Sequence, residues 1–248
     1  QRLEIRGTFD GKLILNNWEK SGVTDLDFSG ITSKNGVKML FATINNIANK
    51  DPLTIKGSPG PDLLDGTNAG SLIQGFAGDD EIWSLENSST VEGGEGQDII
   101  DLAEGKQHTI RLHGQTSESS KDTVTGFEGA KNSTTFDLIE IDGSDFGVTY
   151  AKDYAVKGID EIDAYAIEKG KTEGNSKFYD KIIIFPTQTE LQNWGIYENA
   201  SNLLGFVVDT GTLHYSASGN FPSDSQTLLD IGADAGANFD PAKQIYVV

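Results

Sequence analysis

Asp62, Asp80 and Asp98 stand eighteen residues apart, and each closes a glycine-bearing stretch of the same pattern. Cut into nines from Gly57, the chain reads GSPGPDLLD, GTNAGSLIQ, GFAGDDEIW, SLENSSTVE and GGEGQDIID. The first, third and fifth units share G-x-x-G-x-D-x-U-x, where U is a large aliphatic residue, here Leu64, Ile82 and Ile100. The second and fourth units keep only the aliphatic, as Ile73 and Val91, and carry Ser71 and Ser89 in place of Asp. Repeated carboxylates are hard oxygen donors, and the chemistry open to them is the holding of a divalent cation. Three matches in register, with aliphatics kept in the units between, set this pattern apart from ordinary Gly/Asp turns.

A unit of about six loop residues and three strand residues winds the chain into a flattened right-handed coil. Each unit makes half a turn, so units two apart stack on the same side and the aliphatics point inward. The glycines permit backbone angles that a side chain would forbid. Stacked strands lie ~4.7–4.9 Å apart, and at an effective dielectric of ~20 two carboxylates at that spacing repel by about 3.5 kcal/mol. Two such intervals rival the net stability of a small domain, so the file of Asp62, Asp80 and Asp98 requires cations between its members. Calcium, which takes oxygen ligands in flexible geometry, suits it. With serine in the even units, one edge of the coil binds metal: two ions, with a third at the coil's end.

The surrounding elements read as strands. They run over 3–5, 12–15, 26–28, 53–55, 109–112, 122–124, 137–141, 181–185, 205–209, 212–216, 227–231 and 244–248. Residues 37–47 fit a strand or a helix. Residues 187–204 have helical spacing at Leu191, Trp194, Tyr197, Ala200 and Leu204, with Thr187 or Thr189 as N-cap and Gly205 as stop. The expected fold is mainly β: a right-handed parallel β-roll or β-helix with calcium in the loops, then a β-rich capping region with one or two helices. Its divisions are a strand ladder (1–56), the nonapeptide coil (57–101), capping strands (102–150) and a C-terminal β-rich region (151–248).

Composition narrows the function. The 248 residues carry 38 Asp+Glu against 19 Lys+Arg, a formal charge of −19 that repels nucleic acid and anionic lipid. The acid excess either keeps the protein soluble or supplies cation ligands. The absence of cysteine excludes disulfides, thiolate metal sites and a cysteine nucleophile. No apolar run approaches the ~20 residues of a membrane span, and the opening QRLEIRG lacks the apolar core of a signal peptide.

Catalytic patterns are missing. His108 and His113 flank a strand-like stretch and should face opposite sides, and His214 stands alone beside Tyr215. There is no H-E-x-x-H and no G-x-S-x-G. The run GEGQDI from Gly94 lacks the third glycine of a dinucleotide loop. Two carboxylates can serve a glycosidase, but 38 acids guarantee accidental pairs. Trp83, Trp194 and Tyr197 fit core packing or capping better than sugar stacking.

The unit beginning at Gly93 resembles in full the G-G-x-G-x-D-x-U-x nonapeptide of the RTX (repeats-in-toxin) family. The resemblance implies a parallel β-roll with calcium between loops and export from a Gram-negative bacterium by type I secretion. In that family one loop gives its second and fourth carbonyls and its Asp, and the loop above gives its first and third carbonyls and its Asp. Carried over, one site would use Ser58, Gly60, Asp62, Gly75, Ala77 and Asp80. The other would use Phe76, Gly78, Asp80, Gly93, Glu95 and Asp98. Gly94 and Gly96 with Asp122 would make a further site. Pro59 and Pro61 in the first loop, and the loss of both even loops, depart from the family pattern.

Asp122-Thr-Val-Thr-Gly-Phe-Glu-Gly followed by Asp137-Leu-Ile-Glu-Ile is similar to the segment that closes many RTX rolls. The final stretch from Leu204 resembles type I secreted surface-layer and adhesin-like proteins. The resemblance therefore implies a non-enzymatic, secreted, cell-surface module that folds on extracellular calcium. Its partners would be the type I secretion machinery and neighbouring copies in a surface lattice or a cell-surface glycan. The competing reading is the C-terminal tail of a secreted hydrolase, protease or lipase, whose catalytic domain lies elsewhere.

Overall fold

The computed structural model describes residues 1–8, 13–16, 22–33, 35–40, 52–66, 70–84, 88–113, 121–131, 133–142, 144–146, 157–158, 182–185, 187–193, 203–218 and 220–247. The chain is mainly β. Its first thirteen described strands are β1 (Arg2–Gly7), β2 (Leu13–Asn16), β3 (Asp25–Ile31), β4 (Val37–Leu40), β5 (Thr54–Lys56), β6 (Leu63–Asp65), β7 (Ser71–Ala77), β8 (Glu81–Ser84), β9 (Ser89–Glu95), β10 (Ile99–Leu102), β11 (Thr109–Leu112), β12 (Asp122–Thr125) and β13 (Leu138–Ile141). Odd-numbered strands lie side by side in one sheet and even-numbered strands in another, all parallel. Parallel neighbours need a crossover of a dozen or more residues. Here each crossover contributes the strand of the opposite sheet.

The eighteen-residue spacing is realised as strand register. Leu64 sits opposite Ile82, and Ile82 opposite Ile100, which faces Val124. In the other sheet Leu26, Ile55, Ile73, Val91, Ile110 and Ile139 succeed one another. All ten side chains are buried within one core. Each such aliphatic contributes about 1.5–3 kcal/mol by burial, and the β-branched shapes of the eight Ile and Val residues suit the pleated surface. These two rows fix the loops at the strand ends in register.

The C-terminal part returns to both sheets. β14 (Lys157–Gly158), β15 (Ile182–Phe185) and β16 (Leu203–Val207) are parallel, and β16, β17 (Thr212–Ser216) and β18 (Gln226–Asp230) are antiparallel. β18 then lies parallel to β12, and β19 (Ile245–Val247) parallel to β13. Short helices α1 (Gln188–Gln192), α2 (Phe221–Asp224), α3 (Ala233–Asn238) and α4 (Pro241–Gln244) join them. Phe206 stacks on Phe239 with ring centroids 4.3 Å apart, which packs α3's end against β16.

The helix expected over 187–204 is far shorter. Thr187 does cap it, its side chain accepting from Glu190 N while the Glu190 carboxylate accepts from Thr187 N. Leu204, however, lies in β16 opposite Tyr215, because Leu204 and Phe206 alternate with Gly205 as an inward strand face. Trp194, Tyr197 and Ala200 lie outside the described residues. Trp83, expected in the core or a cap, sits on the outer face between Asp65 and Asp101, its Nε1 donating to Glu81 Oε1 at 3.0 Å.

Gln244 joins this closure to the coil. Fully buried, it donates from Nε2 to Glu128 O and Asp137 O at 2.9 and 2.8 Å. Its Oε1 accepts from Ala130 N and Asp240 N at 2.7 and 2.9 Å. Every hydrogen-bonding position of the amide is used. Gln244→Leu strands four backbone groups, so urea denaturation should register a loss on the order of 3 kcal/mol. A loss below about 1 kcal/mol would remove Gln244 from the closure.

Candidate functional site

Asp62, Asp80 and Asp98 each precede an even strand, and Asp122 begins β12. Since Leu63, Glu81, Ile99 and Thr123 are register partners, the four aspartates fall in one file. All are buried, none more than 3% exposed. A hydrogen-bond ladder runs through them: Asp62 N donates to Asp80 Oδ1, and Asp80 N to Asp98 Oδ1, both at 2.8 Å. Asp98 N donates to Asp122 Oδ1 at 3.2 Å. The bottom rung is Val37 N donating to Asp62 Oδ1, a member the repeat pattern could not reveal.

Each ladder bond uses one carboxylate oxygen. The second oxygens differ in their surroundings. Asp62 Oδ2 accepts from Ser58 N, and Ser58 Oγ donates to Asp62 Oδ1 at 2.8 Å. Asp80 Oδ2 and Asp98 Oδ2 are buried without a hydrogen-bond partner. An unpaired carboxylate oxygen away from water is among the costliest groups a fold can hold. Burial, with the Asp98 and Asp62 carboxylates adding to it, pushes the Asp80 carboxyl up to about 9. Burial raises Asp98 to about 6.

The loop glycines let these oxygens approach neighbouring backbone more closely than a side chain would permit. A Cβ on Gly75 would lie 2.2 Å from Asp80 Oδ2 and 2.4 Å from Gly93 O. One on Gly57 would lie 2.4 Å from both Asp62 Oδ2 and Gly75 O. One on Gly93 would meet Asp98 Oδ2 at 2.2 Å and Asp122 Oδ2 at 2.9 Å. Carboxylate and carbonyl oxygens thus converge beside these glycines, a donor set for a hard divalent cation.

The sequence-derived ligand sets are brought together in part. Gly75 O faces the Asp62 carboxylate and Gly93 O the Asp80 carboxylate. Phe76 O faces Gly94, and Gly78 O faces Gly96, so both point to the loop above. Gly78 in turn packs over Gly60 and Pro61. Glu95 O is already engaged by Gly78 N at 2.9 Å. The Ser58 side chain braces the first loop, bonded to Asp62, to Gly60 O and to Gly60 N. Ala77 and Glu95 border a groove on the outer face, along with Phe76, which holds a left-handed φ of 81° where Gly94 occupies the matching register position.

The opposite edge uses the same ladder without spare charge. Leu53 N donates to Ser71 Oγ at 3.1 Å, Ser89 N to His108 Nδ1 at 3.3 Å, and His108 N to Asp137 Oδ1 at 2.6 Å. Asp137 Oδ2 accepts from Glu128 N at 2.7 Å, so both oxygens of this carboxylate are capped by N–H groups. Burial still raises Asp137 to about 7. Hydroxyl and imidazole make the rung bond and leave no second oxygen. The two edges therefore differ in how many buried carboxylate oxygens lack a donor, not in their backbone.

His108 makes the second edge acid-sensitive. Accepting at Nδ1 fixes the neutral tautomer, with Nε2–H donating to Ala103 O at 3.3 Å. Burial, with Lys106 nearby, holds its pKa below the ordinary value. The unfolded chain then binds the proton more readily, so this contribution is complete above pH ~6.5 and is lost as pH falls below it. His108→Ser keeps a rung of the kind Ser71 supplies. From pH 7.5 to 5.5 the unfolding free energy read from urea curves should fall less for the variant, by up to about 1.4 kcal/mol per pH unit below ~6.5. Equal slopes would show that His108 does not titrate against this ladder.

His108 is buried and His113 half-exposed, facing different ways as the strand spacing implies. His214 is buried between Thr212 Oγ1 and Thr227 Oγ1, at 2.9 and 3.3 Å. Burial pushes it down to about 4, a packed hydrogen-bonded histidine. No family model, no curated protein and no solved structure matches this chain.

Proposed function

We propose that the aspartate file is a calcium column and that the chain is a calcium-dependent β-roll module of the RTX type. One observation carries the reading: Asp80 and Asp98 each bury a carboxylate oxygen with no protein donor, beside a glycine where a further oxygen converges. Two or more Ca²⁺ ions would sit along the file. Asp80 and Asp98 are the principal ligands, with Asp62 and Asp122 at its ends and loop carbonyls of Gly75, Phe76, Gly78 and Gly93 between them. Calcium would supply the positive charge that lets the carboxylates stay ionised and the loops stay stacked.

The module is non-enzymatic, and its role is calcium-triggered folding on an exported bacterial surface protein of surface-layer or adhesin type. Support comes from the acidic, cysteine-free composition and from the matched nonapeptide. Low calcium inside a cell would leave the chain unfolded for passage through a type I secretion channel. Millimolar calcium outside fits the weaker extracellular class of sites. Folding there would oppose return.

The test is circular dichroism during a calcium titration into chelated protein. A coil-to-strand transition that magnesium fails to reproduce is expected, since Mg²⁺ demands a tighter and more regular shell. Full strand content in chelator at neutral pH would overturn the proposal.

A further inference from the structure

We propose a second, chemically different metal site at His113, Asp142 and Asp145, which takes a transition-series divalent ion of the zinc class. It lies on the sheet of odd strands and does not depend on the aspartate file. His113 follows β11 and Asp142 follows β13. Because Leu112 and Ile141 are register partners, the two residues continue one parallel pair. Asp142 Oδ1 is tied to Ser144 N and Oγ at 3.0 and 2.7 Å, which aims Oδ2 at the imidazole. Asp145 N donates to Asp142 O at 3.2 Å and brings the second carboxylate back over the strand end.

The resulting spacings suit a small ion. His113 Nδ1 is 3.3 Å from Asp142 Oδ2 and 2.9 Å from Asp145 Oδ2, and one ligand atom from each residue lies within 4.8 Å of the others. Metal–ligand distances of about 2.0–2.2 Å in a tetrahedron require donors roughly 3.4 Å apart. An imidazole nitrogen is foreign to calcium's oxygen shell and favoured by zinc, nickel and copper. The mixed set thus differs in kind from the all-oxygen column.

A second feature bears on the same place. His113 and Asp142 form one end of a groove of ≈ 730 Å³ that also includes Glu92, Glu95, Glu140 and Arg111. Arg111 is committed to Glu140, with Glu92 at 4.0 Å, so the groove retains excess negative charge. That field favours cation entry. Three protein ligands beside an open groove leave the fourth position for water or an external ligand, the arrangement of an exchangeable site rather than a closed structural one.

The experiment is isothermal titration of Zn²⁺ into the full chain held in saturating Ca²⁺, with circular dichroism reporting the fold. One saturable equivalent is expected, weakened about tenfold or more in His113→Ala and again in Asp145→Asn. Strand content should be unchanged in both. Retained affinity in either folded variant, or no saturable equivalent, would overturn the site and reduce the cluster to an ion pair. The calcium reading is judged separately by the chelation experiment, so the two can fail independently.

Discussion

Gly75→Ala should raise the calcium concentration at the folding midpoint by about tenfold or more, where a glycine-to-alanine change away from the file would move it less. The added carbon would lie 2.2 Å from Asp80 Oδ2 and 2.4 Å from Gly93 O. Gly93 belongs to β9, paired with β7 through the Gln74–Glu92 register, so its carbonyl cannot withdraw without loosening that ladder. The methyl would displace the two oxygens that are proposed to share an ion. Gly105 is the control: its φ is +73° and nothing lies within 4 Å of an added Cβ. Gly105→Ala should cost the ~1–2 kcal/mol of a left-handed residue. By linkage that moves the calcium midpoint only about two- to five-fold for two ions, and the excess in Gly75→Ala is the effect sought. A calcium-titrated dichroism signal in which Gly75→Ala matches wild type would remove Asp80 Oδ2 and Gly93 O from the proposed ion site.

Much of this site was legible because its period is short. Eighteen residues separate neighbouring strands of one sheet, and the same spacing that aligns Leu64, Ile82 and Ile100 also aligns the aspartates before them. The opposite edge was not legible, for the same reason inverted. Ser89, His108 and Asp137 are separated by nineteen and then twenty-nine residues, so no fixed period announces them. Their residue types differ because only a rung acceptor is needed there. Asp122 sat between these cases: it extends the file, but twenty-four residues beyond Asp98.

The C-terminal closure was hidden by distance along the chain. Lys121 reaches Asp230 across 109 residues, and Gln244 reaches Glu128 across 116. Local pattern reading sees strands at 227–231 and 244–248 but not the sheets they rejoin. The overlong helix has a different origin. A spacing of apolar residues fitting one helical face also fits a short capped helix followed, further on, by an inward strand face, and Leu204 belongs to the latter. His113, Asp142 and Asp145 went unread because only the register of β11 on β13 makes them neighbours.

Asp80→Asn and Asp62→Asn should change the metal-free chain in opposite directions. Asparagine at position 80 keeps an oxygen for Asp62 N, so the rung survives. It replaces the partnerless oxygen with an amide whose hydrogens face Gly93 O, and it removes a carboxylate that burial already pushes up to about 9. A carboxyl raised this far stabilises the fold at low pH and withdraws that stability as pH climbs from about 4 towards 9. Freed of that charge, the variant should keep more strand structure in chelator at pH 7.5 than wild type, yet gain less from calcium.

At position 62 both oxygens already accept hydrogen bonds, from Ser58 N, Ser58 Oγ and Val37 N. An amide there must set one N–H pair against a donor, costing about 1–3 kcal/mol with or without calcium. Asp80 touches two intervals of the file and Asp62 one, so the calcium midpoint should move further in Asp80→Asn. Paired dichroism curves in chelator and in calcium read both effects. Equal shifts from the two substitutions would mean that Asp80 is not shared between neighbouring ions, and the stacked column would have to be abandoned.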